Sequence, residues 1–457
     1  MNLANAFLAG LAVVLTALAV AGIATARGNE TAYALVRRAV HVERNEVLAM
    51  LIAALYFFCT LTAYAILRPI RDEIAVASGV RELPKLYLTT LLTMVAITPV
   101  YGAMVARFPV RRFVRFVYQF LALNLVAFYL ALRFGVKPIV IQWIFFPWLT
   151  VFAVFAPSLF WSVMADTFSS AQSKRIFGFI GVGGTIGFIT GLSITGFFTR
   201  QVGKPNLMLV SAALVLVAAI LAQLVPKAAA DADTIASEKR QAAVLGGSPI
   251  AGAVHVLTSP YLAAIALFLF LYVFGSTVLY SAQTEIIGKF YADRVLRTEV
   301  LARIELAAQL VAAFGQIFLT ARLMRVAGLA VTLAAVPVVS IIGFAALGAT
   351  AWGILPLLPT FIAFNIARRS SEFMLTQPSR KVLFTVLSRE DKYKTTNFLE
   401  TFVYRAGDQL SIWGYAGLIG FGLVLTDIAW VAIPVSVAYL ALAVWLARRQ
   451  KELAAAQ

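Results

Sequence analysis

Residues 226–259, PKAAADADTIASEKRQAAVLGGSPIAGAVHVLTS, are the longest polar stretch of the chain, and they decide how it is organised. Apart from a further run near the N-terminus, six long apolar runs precede this stretch and six follow it. A run of about 20 apolar residues is long enough to cross the hydrocarbon core of a bilayer as a helix. The sequence therefore predicts an all-α membrane protein of twelve spans, in which the polar stretch links two six-helix halves.

The composition agrees with a membrane protein over the whole 457 residues. Hydrophobic residues make up 61% of the chain and charged residues 13%, whereas a soluble protein averages about 45–50% and 25%. The net charge of +17 is spread over short loops, so nucleic acid is not an expected partner. Cys59, His41 and His255 lie far apart and suggest no disulfide, metal centre or catalytic triad, so we expect neither an enzyme nor a cofactor.

The apolar runs also set the predicted boundaries of the spans and domains. The two halves are predicted at 47–225 and 260–447, joined by the linker 226–259 and followed by a tail, 448–457. The predicted first residues of the spans are Val47, Pro84, Phe113, Ile139, Phe177, Asn206, Pro260, Val300, Ala327, Ile354, Thr396 and Asp427.

Orientation follows from Lys and Arg, which collect on the cytoplasmic side of a membrane. If the span that begins at Val47 runs outward, the inner loops and the tail hold roughly twice as many of these residues as the outer loops. This distribution predicts a cytoplasmic linker and a cytoplasmic C-terminus. Residues 1–46 contain a further apolar run, Leu3 to Ala26, whose first basic residue, Arg27, comes after it. A cleaved signal has the opposite order, so we expect an extra transmembrane helix and a short cytoplasmic linker, and a start codon beyond this run is the alternative.

Ionisable residues inside the spans are the candidate functional groups. A charge at the bilayer centre costs about 2.5–3.5 kcal/mol on insertion scales, so it normally faces a cavity or a partner. Such residues cluster on the first, tenth and eleventh spans, with further acids on the seventh and eighth. The candidate substrate-binding residues are Arg68, Arg71, Asp72, Glu285, Arg369, Glu372, Arg405 and Asp408.

Helical spacing predicts ion pairs among these groups, because residues three or four apart meet on one helix face. Arg71 and Arg369 have no predicted partner on their own helix. Each is therefore expected to bind an acid of another helix, a lipid phosphate or an anionic substrate. The predicted pairs are Arg68 with Asp72, Arg368 with Glu372, Glu285 with Lys289 and Arg405 with Asp408.

Arginine suits an anion in a partly dehydrated cavity, because its planar fork forms bidentate, charge-assisted bonds and stays protonated. We therefore predict Arg71 and Arg369 as the main ligands of a small anionic substrate. The carboxyl groups of Asp72, Glu285, Glu305 and Asp408 could instead carry protons. A proton-coupled porter for another solute thus remains open, as does a non-transporting binding or scaffold protein in which the charges are structural.

Glycines and aromatic residues allow two further interpretations. A phosphate loop is not expected at Gly181-Val182-Gly183-Gly184, which lies inside an apolar run without a preceding strand. Its glycines, with Gly187 and Gly191, instead predict close contact with a neighbouring helix. Aromatic side chains on the spans could stack on a flat ligand, although packing or an interfacial position is the favoured explanation for each of them. They are Tyr64, Trp161, Tyr404 and Trp413.

Four segments resemble the nucleotide (ATP/ADP) translocase family of plastids and intracellular bacteria, and especially its bacterial relatives described as NTP/NDP exchange transporters. In addition, Gly102, Arg107, Arg111 and Arg112 are similar to a loop motif of the major facilitator superfamily. The four segments are 67–72 (LRPIRD), 160–177, which contains FWSVMAD and AQSKRIF, 369–381, which contains RSSEF and QPSRK, and 393–408, which ends in YRAGD.

The resemblance implies a major-facilitator-like fold, in a bacterial inner membrane and as a monomer among lipids, whose halves rock around a substrate near the midplane. It further implies a secondary active transporter of an organic anion, in the family's case by nucleotide exchange, with basic residues of the first, tenth and eleventh spans at the phosphates. This sequence departs from the family at two points. Asp408 stands where the family tends to have lysine, and the segment 181–184 lacks its usual asparagine.

Overall fold

The computed structural model describes residues 30, 33, 42–226, 256, 258–387, 399 and 403–455. Within them the chain forms twelve long or medium helices in the predicted order. They are α1 Val47–Ser78, α2 Leu83–Arg107, α3 Val110–Arg133, α4 Pro138–Thr167, α5 Ser170–Val202, α6 Lys204–Leu224, α7 Pro260–Phe290, α8 Arg294–Gly315, α9 Gly328–Ala349, α10 Leu357–Ser371, α11 Tyr404–Gly420 and α12 Leu425–Ala455.

Two helices continue through short irregular segments. A π-helical segment, Gln316–Thr320, and a short helix, Ala321–Val326, follow α8. A second π-helical segment, Glu372–Thr376, and a short helix, Gln377–Leu383, follow α10. The predicted helix from Leu3 to Ala26, most of the linker 226–259 and the predicted start of the eleventh span at Thr396 lie outside the described residues.

Ten of the described helices are long and apolar enough to cross a membrane. The other two are α10, which carries adjacent arginines at Arg368 and Arg369, and α11, which is described only from Tyr404 onward. The described helices thus agree with the predicted all-α, twelve-helix membrane protein.

Several helices begin before the apolar runs that predicted them. α5 begins at Ser170 instead of Phe177, because the side chains of Ser169 and Gln172 each accept a hydrogen bond from the other's backbone N–H. This capping box extends the helix into polar sequence. Lys174 and Arg175, which precede the predicted start at Phe177, are therefore in α5. Similarly, α8 begins at Arg294 instead of Val300, after a cap by Asp293.

The chain divides into two compact units. Unit 1 takes its described residues from Met1–Ile74, Leu92–Val244 and Thr298–Arg303, and unit 2 from Ala75–Leu91, Leu245–Arg297 and Ile304–Gln457. The most extensive helix packing in unit 1 is that of α3 on α6, and in unit 2 that of α9 on α12. In both cases the third helix of a six-helix run packs on the sixth, so the two runs share one helix arrangement.

The units depart from the predicted sequence halves at two short segments. Ala75–Leu91 belongs to unit 2, where the Tyr87 and Tyr280 rings pack with centroids 6.2 Å apart. Thr298–Arg303 belongs to unit 1, where the Arg303 Nε donates to the Gly196 carbonyl at 2.7 Å.

Close packing of α5 on α1 depends on glycine. A Cβ atom placed on Gly183 would lie 2.5 Å from the Ala54 carbonyl oxygen, and one on Gly191 would lie 2.5 Å from that of Thr62. Real Cβ atoms do not approach backbone so closely, and small residues allow such helix contact. The predicted small face of the fifth run is confirmed at these positions, whereas Gly181 faces open space.

We predict that Gly183→Ala destabilises the protein by about 1–3 kcal/mol, because the added methyl group must push α5 away from α1. Gly181→Ala is the matched control, since nothing lies within 4 Å of its Cβ position. Thermal unfolding of the detergent-purified variants measures the effect. Equal melting temperatures for the two variants would contradict the close helix contact.

Candidate functional site

α1 is buried along most of its length except for one stripe of side chains. Between residues 56 and 76, Leu61, Tyr64, Arg68 and Arg71 are partly exposed, and every other side chain is buried. Spacings of three and four residues place these four on one face of the helix. We call this face the α1 stripe. Guanidinium groups are unfavourable in contact with lipid tails, so we expect this stripe to face polar surroundings.

Aromatic rings border the arginines of the α1 stripe. The Arg71 guanidinium carbon lies 3.9 Å from the centre of the Phe146 ring, and that of Arg68 lies 5.8 Å from the Phe188 ring. The Tyr64 ring is 6.0 Å from Phe188. A ring face attracts a cation, so the rings help to hold both guanidiniums in place.

Two acids follow the stripe on α1, and their environments differ. Asp72 is 8% exposed, and its Oδ1 lies 4.0 Å from the Arg71 Nη1. Glu73 accepts a hydrogen bond from the Lys204 Nζ at 2.8 Å. The sequence-based pairing did not include this last contact, because Lys204 lies at the start of α6, far along the chain.

Arg368 of unit 2 has surroundings different from those predicted. It is 4% exposed and donates to the Ser340 Oγ at 3.1 Å, the Ser276 Oγ at 2.8 Å and the Tyr272 carbonyl at 3.0 Å. The predicted pair with Glu372 is therefore wrong. Glu372 begins the π-helical segment, which alters the direction of side chains relative to a regular α-helix, and its Oε1 lies 3.8 Å from the Arg380 Nη1 instead.

Arg369 forms an ion pair with Glu305 of α8. An acid on another helix was one of the predicted partners of this arginine. The Glu305 side chain is 8% exposed and that of Arg369 is 23% exposed, so the pair is largely shielded from solvent. The guanidinium remains reachable at its exposed side.

The two π-helical segments contact each other directly. The Gln316 Nε2 donates to the Phe373 carbonyl at 2.8 Å, and the Thr320 Oγ1 donates to the Met374 carbonyl at 2.8 Å. The Met374 sulfur also occupies the space that a side chain on Gly315 would need. These contacts fix α8 and α10 to each other next to the Arg369–Glu305 pair.

Three further predicted residues lie on α7 and α11 of unit 2. The predicted pair of Arg405 and Asp408 is present, with the Nη1 3.4 Å from the Oδ2, and the Arg405 guanidinium carbon lies 5.6 Å from the Tyr404 ring centre. Glu285 is on the exposed face of α7. The described residues contain no ion pair between it and Lys289.

Comparison with known proteins gives the fold and leaves the family open. No family model and no curated protein matches the chain. A bacterial homolog of the human lysosomal transporter Spinster, in an inward-facing and unoccupied conformation, is 14% identical with a TM-score of 0.55, over 90% of this chain and 97% of that chain. A D-xylose–proton symporter is 14% identical with a TM-score of 0.60, over 88% and 96%.

A bacterial homologue of the iron transporter ferroportin, in an inward-facing state, is also similar. It is 13% identical with a TM-score of 0.58, over 88% of this chain and 97% of that chain. All three matches extend over nearly the whole length of both proteins. They confirm the major-facilitator-like fold, while identities this low say nothing about the solute.

A double-mutant cycle on Arg369→Gln and Glu305→Gln tests the pair between α8 and α10. Breaking a shielded pair from one side leaves the other charge uncompensated, which costs about 3–5 kcal/mol. We therefore expect a coupling energy of at least about 2 kcal/mol in detergent unfolding experiments.

The exposed pair of Arg449 and Glu452, with side chains 49% and 63% exposed, is the control. Its coupling should be below about 1 kcal/mol. Similar coupling energies for the two pairs would show that Arg369 and Glu305 are not joined as described.

Proposed function

We propose that this protein is a secondary transporter that moves an organic anion across the membrane by alternating access. The observation that carries this proposal is the α1 stripe, where a helix buried on its other sides exposes Tyr64, Arg68 and Arg71. Two guanidiniums one turn apart offer planar donor forks to a carboxylate or phosphate. Arg71 and Arg68 are the proposed anion ligands of unit 1.

Arg368 gives independent support for a negatively charged solute. Its three hydrogen-bond acceptors are two hydroxyl oxygens and a carbonyl oxygen, and none of them carries a charge. A buried guanidinium held by neutral groups keeps its positive field, which favours an anion nearby in a medium of low dielectric constant. Unit 2 is thus biased toward anions independently of unit 1.

The other candidate residues of unit 2 receive roles from their contacts. Arg369 is bound to Glu305, so we propose that the anion competes with this carboxylate for the guanidinium. Arg405 is close to Asp408, and the pair contributes little net charge. Glu372 and Glu285 are acidic and would act on coupling or selectivity instead of binding the anion directly.

The fold favours transport over a scaffold role, because the similar structures are described as transporters even though their solutes differ. The resemblance to bacterial relatives supports a bacterial inner membrane, and the Lys and Arg distribution supports a cytoplasmic C-terminus. Nucleotides in NTP/NDP exchange are the first solutes to test, because of the segments that resemble the translocase family and because Tyr64 could stack on a base. The Arg405–Asp408 pair favours an anion of lower charge as the runner-up.

The proposal predicts that Arg71→Gln weakens anion binding by about 10- to 150-fold, the equivalent of losing about 1.5–3 kcal/mol from charge-assisted hydrogen bonds. Thermal stabilisation of the purified protein by a panel of nucleotides, other phosphates, carboxylates and neutral sugars identifies the ligand, since a ligand that binds the folded state raises its stability. Uptake of that ligand into proteoliposomes then measures transport.

Arg115→Gln is the matched control, since Arg115 is an exposed arginine on α3 and should leave binding and uptake unchanged. Full uptake by a well-folded Arg71→Gln variant would contradict the proposed role of Arg71. Stabilisation by neutral sugars alone would contradict an anionic solute.

A further inference from the structure

Glu372 is a buried acid that accepts no hydrogen bond within the part of the chain the structure describes. Its side chain is only 7% exposed. One carboxylate oxygen lies 3.8 Å from the Arg380 Nη1, which is beyond hydrogen-bonding distance. The other oxygen, Oε2, is enclosed and has no hydrogen-bond partner among the described residues.

Other buried glutamates of the protein are hydrogen-bonded. Glu46, which is 1% exposed, accepts from the Gln172 Nε2 at 2.9 Å. Glu73, also 1% exposed, accepts from the Lys204 Nζ at 2.8 Å. Glu372 therefore differs from these two acids in accepting no hydrogen bond from the described residues.

We propose that Glu372 binds a proton on its carboxylate in this conformation and releases it to water in another, so that proton movement is coupled to anion transport. An ionised carboxylate that is removed from water and accepts no hydrogen bond is strongly disfavoured. Binding one proton converts it to a neutral carboxyl group. On release, the negative charge is stabilised if Arg380 closes from 3.8 Å to hydrogen-bonding distance.

The surroundings of Glu372 contain few charges that could hold it ionised. The π-helical segment of α8 and the whole of α9, both packed against it, carry no charged side chain. The neighbouring helices add phenol hydroxyls, and the hydroxyl of Tyr439 also lacks a hydrogen-bond partner among the described residues. The charged and titratable groups that interact electrostatically with Glu372 are Arg368, Arg380, Tyr272 of α7, Tyr404 of α11 and Tyr439 of α12.

The position of Glu372 connects proton binding to the anion. Arg369, the proposed anion ligand, precedes it by three residues, which is about one helical turn. An anion at Arg369 brings negative charge near the carboxyl group and favours its protonated form. The coupling, unlike proton binding itself, rests on the proposed function.

Infrared difference spectroscopy of the purified wild-type protein tests proton binding without knowledge of the solute. We expect a carbonyl band of a protonated carboxyl group, shifted in D₂O, that is lost in Glu372→Gln. Glu452→Gln is the matched control, since the Glu452 side chain is 63% exposed on α12, and it should retain the band. A band that persists in a folded Glu372→Gln variant would overturn the assignment.

A second variant keeps the test decisive if Glu372→Gln does not fold. Arg380→Gln removes the cation that competes with the proton, so the band should persist to a pH higher by about one unit or more than in the wild type. An unchanged pH of disappearance would overturn the proposed role of Arg380 and with it the release step.

Proteoliposomes containing a pH-sensitive dye separate the two proposals. Addition of ATP, or of the stabilising anion found in the panel, should acidify the lumen of wild-type vesicles, because the proton moves with the anion, and should do so at least tenfold less in Glu372→Gln. Anion uptake with no proton movement overturns the coupling and leaves the proposed function standing. No anion uptake, together with a carboxyl band that disappears in Glu372→Gln, overturns the proposed function and leaves the proton site standing.

Discussion

The constraint on which this structure depends is that a charge inside a membrane-spanning helix must meet a compensating group or a polar space. The chain satisfies it in three ways. The arginines of the α1 stripe lie beside aromatic rings on the one open face of α1. Arg369 is neutralised by Glu305, and Arg368 is enclosed by neutral oxygens. The neutral surroundings of Arg368 leave its positive field uncompensated by those contacts, and the α1 stripe brings two guanidiniums to one helix face. These two arrangements give the anion hypothesis its physical basis.

Unit 2 combines these charges with irregular helix geometry. The two π-helical segments lie next to the ion pair that joins α8 to α10, and side-chain hydrogen bonds hold one segment to the other. π-Helical turns occur often at functional sites because they reposition side chains within a helix. Here the second segment begins at Glu372, so the same irregularity that separates this acid from Arg368 also brings it near Arg380. The proposed anion ligand Arg369 and the proposed proton site Glu372 thus lie three residues apart, where α10 passes into the π-helical segment.

The fold could be predicted from sequence because it depends on the lengths of apolar runs and on one polar linker, which are local features. The Arg405–Asp408 pair could also be predicted, because it depends on spacing along one helix. An acid of another helix was one of the three partners expected for Arg369. The identity of that acid, Glu305, depends on how α8 packs on α10, which spacing along one helix does not contain. The neutral surroundings of Arg368 were missed because a π-helical segment breaks the i,i+4 geometry. The early starts of α5 and α8 were missed because polar caps extend helices beyond their apolar runs.

The most direct test of the central claim is the water accessibility of α1 in the membrane. Cys59 is the single cysteine of the chain, so a Cys59→Ala background allows single cysteines to be placed from residue 60 to residue 71 and labelled with a charged, membrane-impermeant thiol reagent. We predict labelling at Leu61, Tyr64, Arg68 and Arg71 that differs between the two sides of the membrane as transport proceeds. The bound anion should reduce labelling at Leu61 and Tyr64, where both arginines are retained. Labelling at Thr62, Ala63 and Ile70 instead, or none along the stripe, would contradict an open anion-binding face on α1.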